Sequence, residues 1–133
     1  MSETHAGSCL CGAVQFTIQG SLGPVIFCHC GQCRMQTGHF YAGTNVADAA
    51  LAVTGGGNLA WYQSSPEARR GFCRICGSTL FWKAQAVPYI SVLAGSLDGP
   101  TGLQGVRHDF AAFKGDYYRI EDGLPQNATF PPP

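Results

Sequence analysis

Val25-Ile26-Phe27-Cys28-His29-Cys30-Gly31-Gln32-Cys33 runs a short apolar segment straight into three closely spaced thiols. The apolar half, Val25 to Cys28, reads as a β-strand. The second half reads as a metal cradle. A thiolate is a soft, anionic ligand that Zn²⁺ prefers, and short Cys spacings let one turn of backbone offer several sulfurs to one ion. Gly31-Gln32 bends the chain so that Cys33 returns to the ion that Cys30 faces. Three sulfurs fill three corners of a tetrahedron. The fourth has to come from another protein ligand, water or a substrate, and an open fourth corner separates a catalytic zinc from a structural one.

Two more thiol pairs flank the triplet. In Ser8-Cys9-Leu10-Cys11-Gly12, alternate side chains of an extended segment share a face, so Cys9 and Cys11 can meet one ion. In Phe72-Cys73-Arg74-Ile75-Cys76-Gly77-Ser78, a C-x-x-C followed by Gly is the zinc-knuckle turn, whose amides point at the sulfurs. The chain has seven cysteines, an odd number that cannot all pair internally. With no secretory layout before them, such spacings point to metal rather than disulfides, and to metal rather than scattered core thiols. Seven divides into four and three, and spacing allows two divisions. Cys9, Cys11, Cys73 and Cys76 form a closed site and leave Cys28, Cys30 and Cys33. Alternatively, Cys30, Cys33, Cys73 and Cys76 form a zinc ribbon and leave Cys9, Cys11 and Cys28. The first keeps the compact triplet whole and is favoured on that ground.

Around the thiols the pattern is that of strands. Val14, Phe16 and Ile18 alternate with Gln15, Thr17 and Gln19 over Ala13 to Gln19, a half-buried strand. Gly20 to Pro24 is a turn. A short helical turn over Arg34 to Thr37, stopped by Gly38, precedes a strand over His39 to Val46. Further strands are expected at Leu51 to Thr54, Leu59 to Gln63, Thr79 to Lys83, Tyr89 to Ala94, His108 to Phe113 and Tyr117 to Ile120. Gly55 to Asn58 lacks the spacing and following helix of a phosphate-binding loop and reads as a hairpin turn. Gly95 to Gly105 reads as a loop, and the Pro-rich tail, 124–133, as loosely held. Short strands, frequent glycines and no long helical period predict a single all-β domain over 1–133, its core at about 7–125.

Composition narrows the function. The 133 residues are 45% hydrophobic and only 12% charged, with a formal net charge of zero. No clustered basic footprint for nucleic acid is expected, and nothing draws the chain to an anionic membrane surface. No apolar run is long enough to span a bilayer. The polar start, Met1 to Ser8, lacks the layout of a signal peptide, so a cytoplasmic, reducing location is expected.

Ser-Cys-Leu-Cys-Gly-Ala-Val at 8–14, Cys-His-Cys-x-x-Cys-Arg-x-x-Thr-Gly at 28–38, Phe-Cys-x-x-Cys-Gly-Ser at 72–78 and a late His108 segment resemble the glutathione-dependent formaldehyde-activating enzyme family, which also includes centromere protein V. The resemblance spans about Gly7 to Pro125. It implies a zinc-stapled β-tent of two stacked antiparallel sheets with at most short helical turns. It implies two Zn²⁺ per chain: a structural one on Cys9, Cys11, Cys73 and Cys76, and a catalytic one on Cys28, Cys30 and Cys33 with an open position. The implied activity is that of a carbon–sulfur lyase, making or breaking a C–S bond in a small thiol–aldehyde adduct such as S-hydroxymethylglutathione, with glutathione as the thiol partner. The alternative is a non-catalytic zinc module, interaction- or chaperone-like, in which His39, His108 or an acidic group closes the triplet. A redox role for the C-x-x-C pairs is disfavoured, because no β-α-β pattern surrounds them.

Other residues surround that centre in the sequence. His29 lies between two ligands and, in an extended segment, faces away from them. His39 and His108 are candidates for an acid or base, His108 being the one assigned. Arg34 could take a substrate carboxylate. Arg69, Arg70 and Arg74 read as surface charge around the last knuckle, and Trp61, Phe81 and Trp82 as core.

Overall fold

The computed structural model of the protein describes residues 3–130. Two sheets make the fold. The smaller has the order β1 (Thr4–Ser8), β2 (Gln15–Gln19), β5 (Leu51–Thr54). The larger has seven strands in the order β10 (Gly105–Asp109), β3 (Val25–Cys28), β4 (Tyr41–Ala47), β9 (Tyr89–Leu93), β8 (Thr79–Ala84), β7 (Ala68–Cys73), β6 (Leu59–Gln63). A single α-helix among the described residues, α1 (Gly31–Thr37), follows β3. The expected all-β class stands.

The alternation in β2 explains the layering. Phe16 and Ile18 are buried while Gln15, Thr17 and Gln19 are exposed. Phe16 meets Phe81 of the larger sheet edge-on with centroids 5.3 Å apart, and Val46, Ile90 and Val92 complete the layer. Trp61 stacks on Phe81 from the side. Aromatic pairs in this geometry add to what their buried area contributes.

The larger sheet is covered on its second face too, as the three successive buried residues Ile90, Ser91 and Val92 require. Pairing register puts Arg70 opposite Trp82 and Trp82 opposite Ser91, on the face turned away from Phe16. Cys28 lies opposite Tyr41 on that same face. Tyr41 lies across Gly43, where a Cβ would run into the Tyr41 ring and the Ser91 hydroxyl, and its own hydroxyl bonds Ser91 Oγ at 2.6 Å.

Several local expectations are corrected. The larger sheet is not wholly antiparallel, because β10 runs parallel to β3. The chain reaches β10 by the long loop after β9, a crossover rather than a hairpin. Gly55–Asn58 is no hairpin turn either: β5 belongs to the smaller sheet and β6 to the larger, so this 3₁₀ turn carries the chain between layers. The expected strand over His108 to Phe113 ends at Asp109, where Phe110 takes a positive φ of 57° and a 3₁₀ turn follows. Tyr117 to Ile120 is irregular rather than a strand. Helix α1 begins at Gly31, earlier than expected, because Cys30 caps it: its Sγ accepts from Cys33 N–H. Gly38, at φ 86°, ends it as expected.

The tail is held, not loose, over its described part. His108 N–H donates to Pro125 O, Asn127 N–H to His108 O, and Phe110 N–H to Thr129 O, so this strap runs along β10. Asn127 also donates to Asp109 Oδ1 at 3.0 Å. Residues 131–133 of the expected loose tail lie outside the described residues.

Candidate metal centres

All seven cysteines are free thiols, and the fold gathers them into a group of four and a group of three. In the group of four, Cys9 and Cys11 come from the turn between β1 and β2, Cys73 ends β7, and Cys76 lies in the turn that leads to β8. Cys9 and Cys11 sulfurs are 3.6 Å apart, and Cys11 and Cys73 sulfurs 3.8 Å. A tetrahedron with Zn–S bonds of ~2.3 Å has edges of about 3.8 Å, so these sulfurs fit a tetrahedral ion. Backbone amides face them: Val14 N–H lies 3.3 Å from Cys9 Sγ, and Ile75 N–H 3.4 Å from Cys73 Sγ. The Ser78 hydroxyl beside Cys76 draws its thiol down to about 5. The four sulfurs join one end of the smaller sheet to a turn of the larger one.

The triplet sits where β3 runs into α1. Cys28 ends the strand, Cys30 caps the helix, and Cys33 is one turn in and buried. Their sulfurs all lie within 4.8 Å of one another. Such crowding cannot hold three anions without a cation: hydrogen bonds to Cys30 and Cys33 push the Cys28 thiol far up, while the same neighbours Cys28 and Cys33 pull Cys30 strongly down. A soft dication is what this donor set fits. Among the described residues, no His, Asp or Glu joins the three sulfurs as a fourth ligand.

Arg70 forms part of the wall. It projects from β7 and is only 3% exposed, and its Nη2 lies 3.5 Å from Cys33 Sγ. Arg69 and Arg74 stay at the surface, Arg69 over the Trp61 ring at 4.2 Å. The reading of all three arginines as surface charge is therefore corrected for Arg70, which strand alternation turns inward. Arg34 is half-buried on α1 directly after Cys33.

On the other side of the cradle runs a chain of hydrogen bonds. His29, fully buried, faces away from the flanking sulfurs, as the extended spacing predicts. Its Nδ1 meets Tyr118 Oη at 2.6 Å and its Nε2 meets His108 Nδ1 at 2.8 Å. His108 Nε2 meets Asp122 Oδ2 at 2.7 Å. Burial, helped by His108, lowers His29 to about 4, so its ring is neutral at pH 7. The bond from His108 holds Asp122 below the usual carboxylate range, as an anion that only accepts. Asp122 can only accept, so His108 donates to it from Nε2, and His29 bridges His108 Nδ1 and the Tyr118 hydroxyl. Phe27 and Phe40 pack around the two imidazoles. His39 is exposed and bonds Tyr117 Oη at 2.9 Å, outside this chain.

Both ring nitrogens of His108 are thus occupied within the protein. Sequence reasoning did not single out Tyr118 or Asp122. Their signal was faint: two adjacent tyrosines and an acid in an irregular stretch, with no periodicity to give them a direction.

This is a β domain whose two sheets meet at a cluster of four sulfurs and whose larger sheet carries a second cluster of three, each able to hold a metal ion. The chain belongs to the glutathione-dependent formaldehyde-activating enzyme family, whose model matches residues 4–113. It is 30% identical over 78 residues to an uncharacterized lyase of Schizosaccharomyces pombe, a match covering 59% of this chain. The matched region spans about half, 56%, of that relative's length. A Rhodobacter sphaeroides protein of known crystal structure is similar with a TM-score of 0.61 at 28% identity, over 75% of this chain and 97% of that one. Among the described residues no helix is long and apolar enough to cross a membrane.

Proposed function

We propose that the protein is a zinc-dependent carbon–sulfur lyase acting on a small thiol–aldehyde adduct, glutathione with formaldehyde being the first pair to test. In the synthetic direction the thiol sulfur bonds to the aldehyde carbon, and the thiol proton ends on the aldehyde oxygen. Cleavage is the reverse. Zn²⁺ held by Cys28, Cys30 and Cys33 would supply a Lewis-acidic position able to take a fourth, soft ligand. The observation that carries the reading is the triplet itself: three sulfurs converge with no His, Asp, Glu or further Cys among the described residues to close the fourth corner. A purely structural centre would use such a side chain.

The remaining residues have separable tasks. Cys9, Cys11, Cys73 and Cys76 hold the second Zn²⁺ and fix the sheets. Cys30, by capping α1, sets where Cys33 lies. Proton handling belongs to the chain ending at Tyr118. His108 takes part through His29, since neither of its nitrogens is free to touch a substrate. Zinc-loaded protein mixed with glutathione and formaldehyde is expected to accelerate adduct exchange, followed by NMR, and Cys30→Ser is expected to abolish the acceleration. Exchange no faster than in buffer rules out this substrate pair; full activity in Cys30→Ser rules out the centre.

A further inference from the structure

A guanidinium is charged at every accessible pH, and burying it without a counter-charge is costly. Arg70 is buried, yet among the described residues its only hydrogen-bond acceptor is Cys33 Sγ; its Nε and Nη1 have none. Buried donors left unbonded call for an explanation. No carboxylate supplies one here. The anionic group on this face is the sulfur triplet, and Tyr41 and Ser91 beside it satisfy each other.

We propose that Arg70 is the built-in counter-charge of the triplet and makes its fourth position select anionic ligands, thiolates above all. The inference deepens the lyase reading and rests on it, because the triplet must hold a dication. The charges add simply. A dication with three thiolates carries one net negative charge, which Arg70 cancels. An entering thiolate then meets a neutral surrounding instead of an anionic one. Of two routes open to such a centre, binding the thiol as its anion or polarising the carbonyl oxygen, Arg70 favours the first.

Cobalt-substituted full-length protein is titrated with azide and 2-mercaptoethanol as sources of anionic ligands, and with imidazole as a neutral one, following the cobalt absorption bands. Metal content and circular dichroism are measured first for the wild type, Arg70→Met and Arg70→Lys. Arg70→Met is expected to weaken azide and thiolate binding by about tenfold or more, the scale of removing a unit charge from a low-dielectric wall, and to leave imidazole within about twofold. Arg70→Lys is expected to restore most of the difference. Equal losses for azide and imidazole, or no loss for either, overturn the proposal. Should Arg70→Met fail to fold, wild type and Arg70→Lys decide the matter: no preference for anions over imidazole in either overturns it. A wild-type triplet that takes up no metal sinks the lyase reading instead, a distinguishable result.

Discussion

Tyr118, His29, His108 and Asp122 are joined end to end by hydrogen bonds, the last of them donated by His108 to the carboxylate. Nitrogen-15 NMR at neutral pH is expected to find the His108 ring protonated on Nε2, the atom facing Asp122, and Asp122→Ala to remove that preference. An Nδ1–H tautomer of His108 in the native protein would contradict the assigned direction. At this scale the sequence was legible for the sulfurs and nearly mute for their surroundings. Cysteine spacing carries its own geometry, since ligands to one ion must be close in space. Arg70 carried no such mark. In Ala68-Arg69-Arg70-Gly71-Phe72 the glycine removes one side chain from the alternation, so nothing in the pattern distinguished the inward arginine from its exposed neighbour.

Short apolar runs that stand out from polar or turn-forming flanks were easy to read. Val25–Cys28, Leu51–Thr54 and Leu59–Gln63 appear with the expected bounds. Strands without contrast were missed. Thr4–Ser8 is small and polar and is held by pairing with β2, and Ala68–Cys73 is a strand because β6 and β8 flank it. Which sheet a strand joins is a long-range fact, and that is why Gly55–Asn58 passed for a hairpin turn. Packing between the layers makes Phe16 a sensitive apolar position: it is 2% exposed and meets Phe81. Phe16→Ala is expected to cost about 3–5 kcal/mol in denaturant unfolding, the range for emptying a large aromatic site. Gly43→Ala should act differently. The added methyl displaces the Tyr41 ring from its place over Ser91, so the expected loss is in metal retention at the triplet, read by chelator competition, as well as in stability.

For the molecule as a whole, the four-sulfur group ties the β1–β2 turn to the β7–β8 turn, two segments far apart in sequence. Structural metal binding is coupled to folding free energy. Native mass spectrometry is expected to show about two zinc ions per chain, and removing both by a strong chelator to lower Tm by about 10 °C or more. Cys73→Ser is expected to lower stability sharply while Cys28→Ser leaves the fold nearly intact, a contrast visible in thermal melts. One metal per chain, or equal melts for the two variants, would contradict this division of labour.

The strap along β10 has a further bearing. The family match closes at residue 113, yet Tyr118, Asp122 and the backbone that pins His108 all come from beyond it. The two ends of the hydrogen-bonded chain are therefore encoded on a different length of polypeptide from the sulfurs and the two imidazoles between them. A graft that exchanges everything after residue 113 for the corresponding piece of a relative should keep the sulfur clusters while changing the partners of His29 and His108, which makes that ribbon the natural cassette for retuning the proposed reaction.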